Sequence, residues 1–169
     1  MPRSIFLIGL PGVGKSVVSM RLAGLVALSR VGLDDAMATK AGVLRDYIQA
    51  HGWPAFRELE SQTLAEIVAA GPAVVDCGGG VVEAPANVEL MRRTGVIVWL
   101  RATVGTMQER LQGSHRRMAL GSATDDDKIR ELLARRGPLY TAAAAFTVDT
   151  DGKTPVAVAE EIATLLHDL

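Results

Sequence analysis

Four short apolar runs punctuate the chain, Ile5 to Ile8, Ala73 to Cys77, Val96 to Leu100 and Phe146 to Val148. Unbroken apolar runs of this length predict strands buried on both faces. Val31 to Leu33 predicts one further short strand. Between the strands, apolar positions recur at helical spacing. Val18, Leu22, Leu25 and Val26 fall on one side of a helix predicted over Lys15 to Leu28. From Asp35 to Leu64 the pattern predicts helical pieces broken at Gly42 and Gly52, with Pro54 suited to a first helical turn. Gly71-Pro72 closes that region, and Pro85 and Pro155 open two more helices, the second with Thr154 as its N-cap. Strands alternating with helices in this way predict an α/β fold, a parallel sheet with helices on both faces. Ligands of such sheets bind beyond the carboxyl ends of the strands, which places the loops after Ile8, Leu33 and Cys77 around one crevice.

With 169 residues, 49% of them hydrophobic, the chain suits a single domain over 1–169 with a sizeable core. The formal net charge of −1 offers no global field for nucleic acid or an anionic membrane, and no run approaches the length of a membrane span. Neither a basic stripe nor a stacking platform points to nucleic acid. Cys77 is the only cysteine, and the N-terminal apolar run ends at Leu10, too short for a signal peptide, so the expectation is a cytoplasmic protein. His51, His115 and His167 lack the spacing of metal ligands. Nothing in the pattern demands a second copy, and a monomer is the expectation.

The first predicted strand runs into Gly9-Leu10-Pro11-Gly12-Val13-Gly14-Lys15-Ser16, and a helix follows. This G-x-x-x-x-G-K-[ST] spacing is a phosphate cradle: backbone N–H groups of Gly12, Val13 and Gly14 converge on anionic oxygens, and the helix adds its positive end. Lys15 would reach the outer phosphates as a point charge and the Ser16 hydroxyl would take a place on Mg²⁺. Phosphoryl transfer then needs a metal-side acid, cations for the transferring group and a residue that orients the attacking oxygen. Ala73-Val74-Val75-Asp76 has the form of a strand ending in a metal-side carboxylate, although an acid there can also simply cap a turn. Gly78-Gly79-Gly80 lets a ligand approach the backbone closely at the end of a buried strand. Asp34 or Asp35 could face a substrate hydroxyl, the other capping a helix that begins near Ala36. Gly113 to Asp127, with His115, Arg116, Arg117, Gly121 and three consecutive aspartates, has little periodicity and reads either as a mobile lid or as a solvated connection. Two converging guanidinium groups, drawn from Arg57, Arg117 and Arg136, would suit a carboxylate-bearing substrate.

Taken together, these residues give the chain a resemblance to the shikimate kinases over nearly its whole length. The P-loop, Gly52-x-x-x-Phe56-Arg57-x-x-Glu60, the triple glycine, Arg117 in a lid, Arg136-x-Pro138-Leu139-Tyr140 and the closing Val148-Asp149-Thr150 with Pro155 occur in the family's order. The resemblance implies a P-loop kinase of the nucleoside monophosphate kinase type, with a five-stranded parallel sheet. It implies transfer of the γ-phosphate of ATP to the 3-hydroxyl of shikimate. On matching positions it implies that Asp34 orients the hydroxyl, that Arg57 and Arg136 hold the carboxylate, and that Gly78, Gly79 and Gly80 line the ring. Glu60 would steady Arg57, Arg117 would stabilise the transferring phosphate, and Arg110, Lys153 and Pro155 would flank the adenine.

The chain also departs from the family pattern. The usual Asp-x-Asp after the second strand is Gly32-x-Asp34 here, while an acid, Asp76, stands before the triple-glycine segment where a small uncharged residue is usual. Asp76 is therefore expected to take over the metal-proximal role lost at Gly32. Val17 replaces a usual hydroxyl beside the phosphates, and Trp53 stands where an acid is common. Two alternatives follow: a related kinase acting on another cyclitol or sugar acid, and a nucleotide-binding homologue without catalysis.

Overall fold

The computed structural model describes residues 3–112 and 126–169. Five strands form one sheet: β1 Ser4–Ile8, β2 Ser29–Gly32, β3 Ala73–Asp76, β4 Gly95–Arg101 and β5 Phe146–Asp149. Their order is β2-β3-β1-β4-β5 and every neighbouring pair is parallel. The central β1 is buried along its whole length, which is why Ile5 to Ile8 are apolar without alternation. Helix α1, Lys15–Val26, packs on α7, Pro155–His167, over one face of the sheet. On the other face α4, Pro85–Thr94, lies against β1 and β4, with α3, Leu44–Ala70, and α6, Asp126–Ala143, beside it. The predicted α/β architecture with a five-stranded parallel sheet is the one observed. Among the described residues no helix is long and apolar enough to cross a membrane.

The proline-initiated helices begin where expected, and Thr154 Oγ1 accepts the Ala157 N–H at 3.2 Å. The predicted break at Gly42 is the C-terminal cap of α2, Leu33–Ala41, and the break at Gly52 is a left-handed residue (φ 85°) within α3, two residues before Pro54. At the second strand the expectation is corrected. β2 is Ser29–Gly32 rather than Val31 to Leu33, because an edge strand half open to solvent can carry Ser29 and Arg30 and so loses its apolar signature. Leu33 already opens α2, whose N-cap is Gly32 with no side-chain cap, so neither Asp34 nor Asp35 caps a helix beginning near Ala36. Both lie in its first turn, where negative charge complements the helix dipole. β3 ends at Asp76 rather than Cys77, although the Cys77 N–H still donates to Leu7 O at 3.1 Å. Helix α5, Val104–Leu111, and α6 also form, and α6 takes in Asp126 and Asp127 at the end of the expected lid. The rest of that segment, 113–125, with His115, Arg116, Arg117 and Gly121, lies outside the described residues.

Candidate active site

After β1 the chain turns at Gly9 with φ 143°, and a Cβ there would sit 2.4 Å from Leu100 O, so the backbone crossing under β4 admits glycine alone. Gly14, at φ 95°, then feeds the first N–H groups of α1 toward the same opening. Lys15 is buried and folds back over the loop, its Nζ donating to Gly9 O at 2.7 Å and Leu10 O at 3.1 Å. Its charge is thereby held at the mouth of a backbone cradle. Beside it, Ser16 Oγ donates to Asp76 Oδ2 at 2.6 Å, which brings together the two residues singled out for a metal. The parallel register of β2 on β3 sets Gly32 next to Asp76, so these two positions border one corner of the crevice.

A cavity of about 640 Å³ opens from this corner toward α3, reaching from Lys15, Ser16 and Asp76 to Asp34, Arg57 and Arg136. The triple glycine forms its floor because functional side chains lie directly on it. A Cβ at Gly78 would stand 2.9 Å from Glu60 Oε2 and 3.3 Å from Asp34 Oδ1. One at Gly79 would stand 3.0 Å from Arg136 Nη1, and one at Gly80 only 2.2 Å from Arg57 Nη2. Tyr140 fixes this floor by donating its hydroxyl to Gly79 O at 2.5 Å, and burial pushes its pKa up, keeping it a phenol. Arg57 donates from Nη1 to Glu60 at 2.9 Å, the i, i+3 pairing expected on one helix face. Burial raises the Glu60 pKa, and the adjacent Arg57 guanidinium pulls against that rise. Trp53, half exposed on the cavity wall, packs its ring under Arg57 with 5.4 Å from guanidinium to centroid. Burial, with Asp76 next to it, holds the Cys77 thiol well above its ordinary pKa, so it is no thiolate nucleophile.

Two residues of this site escape local pattern. Glu83, in the short 3-10 helix Val81–Glu83, accepts from Arg57 Nη2 at 3.0 Å and lies 3.3 Å from Arg135 Nη2 and 3.6 Å from Arg136 Nε. One carboxylate thus ties the two arginines of the cavity together. Arg136 is itself buried, and its Nε, paired with Glu83 only at 3.6 Å, makes no hydrogen bond among the described residues. Such an orphaned N–H is the kind of group that a bound carboxylate satisfies. Arg30 is the other, reaching Asp76 from β2 at 3.0 Å. Its position one residue before the apolar pair at the strand end was the only local signal, and a charged residue on an edge strand is ordinary.

A second cavity of about 500 Å³ lies on the far side of the loop, where Gly12, Val13, Gly14 and Val17 face Arg110, Lys153 and Pro155. Arg110 Nη1 donates to Val13 O and Thr150 Oγ1, both at 3.0 Å, and Nη2 to Thr150 O at 3.2 Å, clamping the cradle to the loop after β5. Lys153 pairs with Glu161 at 2.6 Å. Except for Arg117, outside the described residues, every residue expected to serve the nucleotide, the metal or the acceptor lines one of these two openings. Among the described residues no group of three or more His, Cys, Asp or Glu could hold a metal alone. A hard cation held by Ser16 and Asp76 would have to draw most of its oxygens from elsewhere.

Comparison with known proteins identifies the family. Residues 11–167 match the family model for shikimate kinase. Shikimate kinase 2 of Enterobacter sp. (strain 638) is 36% identical over 171 residues, covering 99% of this chain and 97% of the relative. Shikimate kinase of Dehalococcoides mccartyi is 34% identical over 166 residues, covering 98% of this chain and 94% of the relative. The structure of shikimate kinase from Acinetobacter baumannii in complex with shikimate superposes with a TM-score of 0.93 at 27% identity, covering 99% of this chain and 94% of that one. A cradle built for phosphates, a cavity floored by glycine and bridged by two arginines, and full-length relatives at this identity all converge: the chain belongs to the shikimate kinase family of ATP-dependent phosphotransferases.

Proposed function

We propose that this chain transfers the γ-phosphate of ATP to the 3-hydroxyl of shikimate. The observation that carries the reading is the cavity whose lining brings Arg57 and Arg136, tied through Glu83, together with the glycine floor, Asp34, Lys15 and Asp76. Arg57 and Arg136, whose Nε makes no hydrogen bond among the described residues, bind the acceptor carboxylate, which fixes the ring on Gly78, Gly79 and Gly80. Asp34 accepts a hydrogen bond from the attacking hydroxyl, orients it, and takes its proton late in the transfer. Lys15 spreads its charge over the outer phosphates, and the N–H groups of Gly12, Val13 and Gly14 hold the inner ones. Val17, Arg110, Lys153 and Pro155 enclose the base end of the nucleotide. Ser16 and Asp76 would hold Mg²⁺, which would supply positive charge to offset that of the phosphates; their paired oxygens suit a hard cation. Arg117 stabilises the transferring phosphoryl group from a lid over about 113–127 of one domain. The single cysteine, outside any disulfide, suits a monomeric enzyme of the reducing cytoplasm.

The test is Mg²⁺-dependent ADP release measured with shikimate, quinate, gluconate and several cyclitols as acceptors. The proposal expects turnover with shikimate at least about a hundredfold above the others, since a site built to bind a substrate's polar groups rejects analogues that leave them unpaired. Turnover with another acid alone keeps the kinase and replaces the acceptor. Nucleotide binding without acceptor-dependent turnover sinks the catalytic reading.

A further inference from the structure

Arg30 stands at the metal corner with more partners than a surface arginine needs. Its Nη2 donates to Asp76 Oδ2 at 3.0 Å, the same oxygen that accepts from Ser16 Oγ. Its Nη1 donates to Asp35 Oδ2 at 3.1 Å, and its Nε to the buried Ser19 Oγ at 3.2 Å. Asp35 occupies the space beside Gly32: a Cβ on Gly32 would lie 2.3 Å from Asp35 Oδ2 and 3.2 Å from Arg30 Nη1. A side chain at position 32 would have to displace the Asp35 carboxylate from Arg30. The corner holds two carboxylates around one guanidinium and so keeps one net negative charge.

We propose that Arg30, held against Asp76, limits by its own charge the affinity of this corner for a divalent cation. The inference rests on the proposed roles of Ser16 and Asp76. Of the two ion pairs, the one to Asp76 matters. The Asp35 side chain is 77% exposed and its pairing is worth little, whereas the Asp76 side chain is only 12% exposed. A positive charge in contact with the metal-facing oxygen repels a dication at that oxygen. The cation is then retained only while nucleotide phosphates supply its remaining oxygens, so that it enters and leaves with the nucleotide.

The test is a titration of the protein with Mn²⁺ in the presence of ADP, followed by the loss of the free-ion EPR signal. ADP affinity is measured separately without metal in EDTA. Arg30→Gln should tighten Mn²⁺ about fivefold, from removal of a like charge at the edge of a solvated site. Arg30→Lys, which keeps the charge, should stay within about twofold of the parent. Asp35→Asn, at an exposed position that leaves folding intact, removes one negative charge and should weaken Mn²⁺ about twofold to threefold. Unchanged or weaker Mn²⁺ binding in Arg30→Gln overturns the inference, and if that variant does not fold, unchanged binding in Asp35→Asn overturns it. Asp76→Asn separates the two levels. If it weakens Mn²⁺ tenfold or so while Arg30→Gln does nothing, Asp76 keeps its role and Arg30 loses its own. If Asp76→Asn leaves Mn²⁺ binding at the parent level, the proposed metal corner itself is wrong.

Discussion

Replacing Gly80 by alanine moves one functional group and little else. Gly80 has φ −96° and ψ 7°, a conformation open to any residue, so the backbone carries no new strain. The added Cβ, however, would stand 2.2 Å from Arg57 Nη2 and 2.4 Å from both Cζ and Nη1. Ordinary contact needs about 3.5 Å, so the guanidinium must retreat by more than about 1 Å. That retreat breaks its bridges to Glu60 and Glu83 and withdraws it from the acceptor carboxylate. A hydrogen bond between charged groups is worth about 1.5–3 kcal/mol. Its loss should raise KM for shikimate roughly tenfold to 150-fold. KM for ATP should stay within about twofold, because the substitution removes a contact to one substrate only. Glu60, 1% exposed at its side chain, loses its cation, so thermal stability should fall by about 1–3 kcal/mol. The assay is initial rates of ADP release with each substrate varied in turn, with a thermal melt to show that the variant is folded. A folded Gly80→Ala enzyme with parental KM for shikimate would refute the assignment of Arg57 to the acceptor carboxylate.

Further substitutions probe the rest of the cavity. Asp34→Asn should lower kcat by about 10²–10⁴ with a small change in KM, as removal of a group acting on the transferred proton does; rates at saturating substrates decide it. Tyr140→Phe cuts the tie to Gly79 O and should cost about 1 kcal/mol, roughly 2–4 °C in Tm for a domain of this size, visible by calorimetry. Glu60 predicts a pH effect of defined sign. Its folded pKa is raised above 4.5, so the folded chain binds this proton more tightly than the unfolded chain. The stabilisation it contributes is complete below 4.5 and is lost as pH rises through the folded value. Denaturant melts should therefore show the parent gaining on Glu60→Gln as pH falls through that window. The parent's KM for shikimate should rise over the same interval as Arg57 loses its partner, and Glu60→Gln should not follow it.

The fold was legible where burial dictated composition. Ile5 to Ile8 of β1 and Ala73 to Val75 of β3, buried in the sheet, are apolar for that reason, and the prolines and Thr154 mark helix starts by their own chemistry. β2 was misplaced because an edge strand tolerates Ser29 and Arg30, and α6 hid behind Gly137-Pro138 and charged residues. At the site, the cradle and Asp76 were readable because each is a local string. The step from Arg57 to Glu60 was readable because it follows helix geometry. The ties of Arg30 to Asp76, 46 residues apart, and of Glu83 to Arg57 and Arg136 were not, because tertiary packing creates them and no local period encodes them. Gly78, Gly79 and Gly80 fall between these cases. The run announces close approach, and only the fold reveals that Glu60, Arg136 and Arg57 make that approach from above.

The central claim is tested most directly by identifying the product. The protein, incubated with Mg²⁺, ATP and shikimate, is followed by phosphorus and proton NMR until ADP formation stops. The account predicts one phosphomonoester, coupled to the proton on the carbon that bears the 3-hydroxyl, in equal amount to ADP. ADP formed without a phosphorylated acceptor, or phosphate on a different hydroxyl, would contradict it.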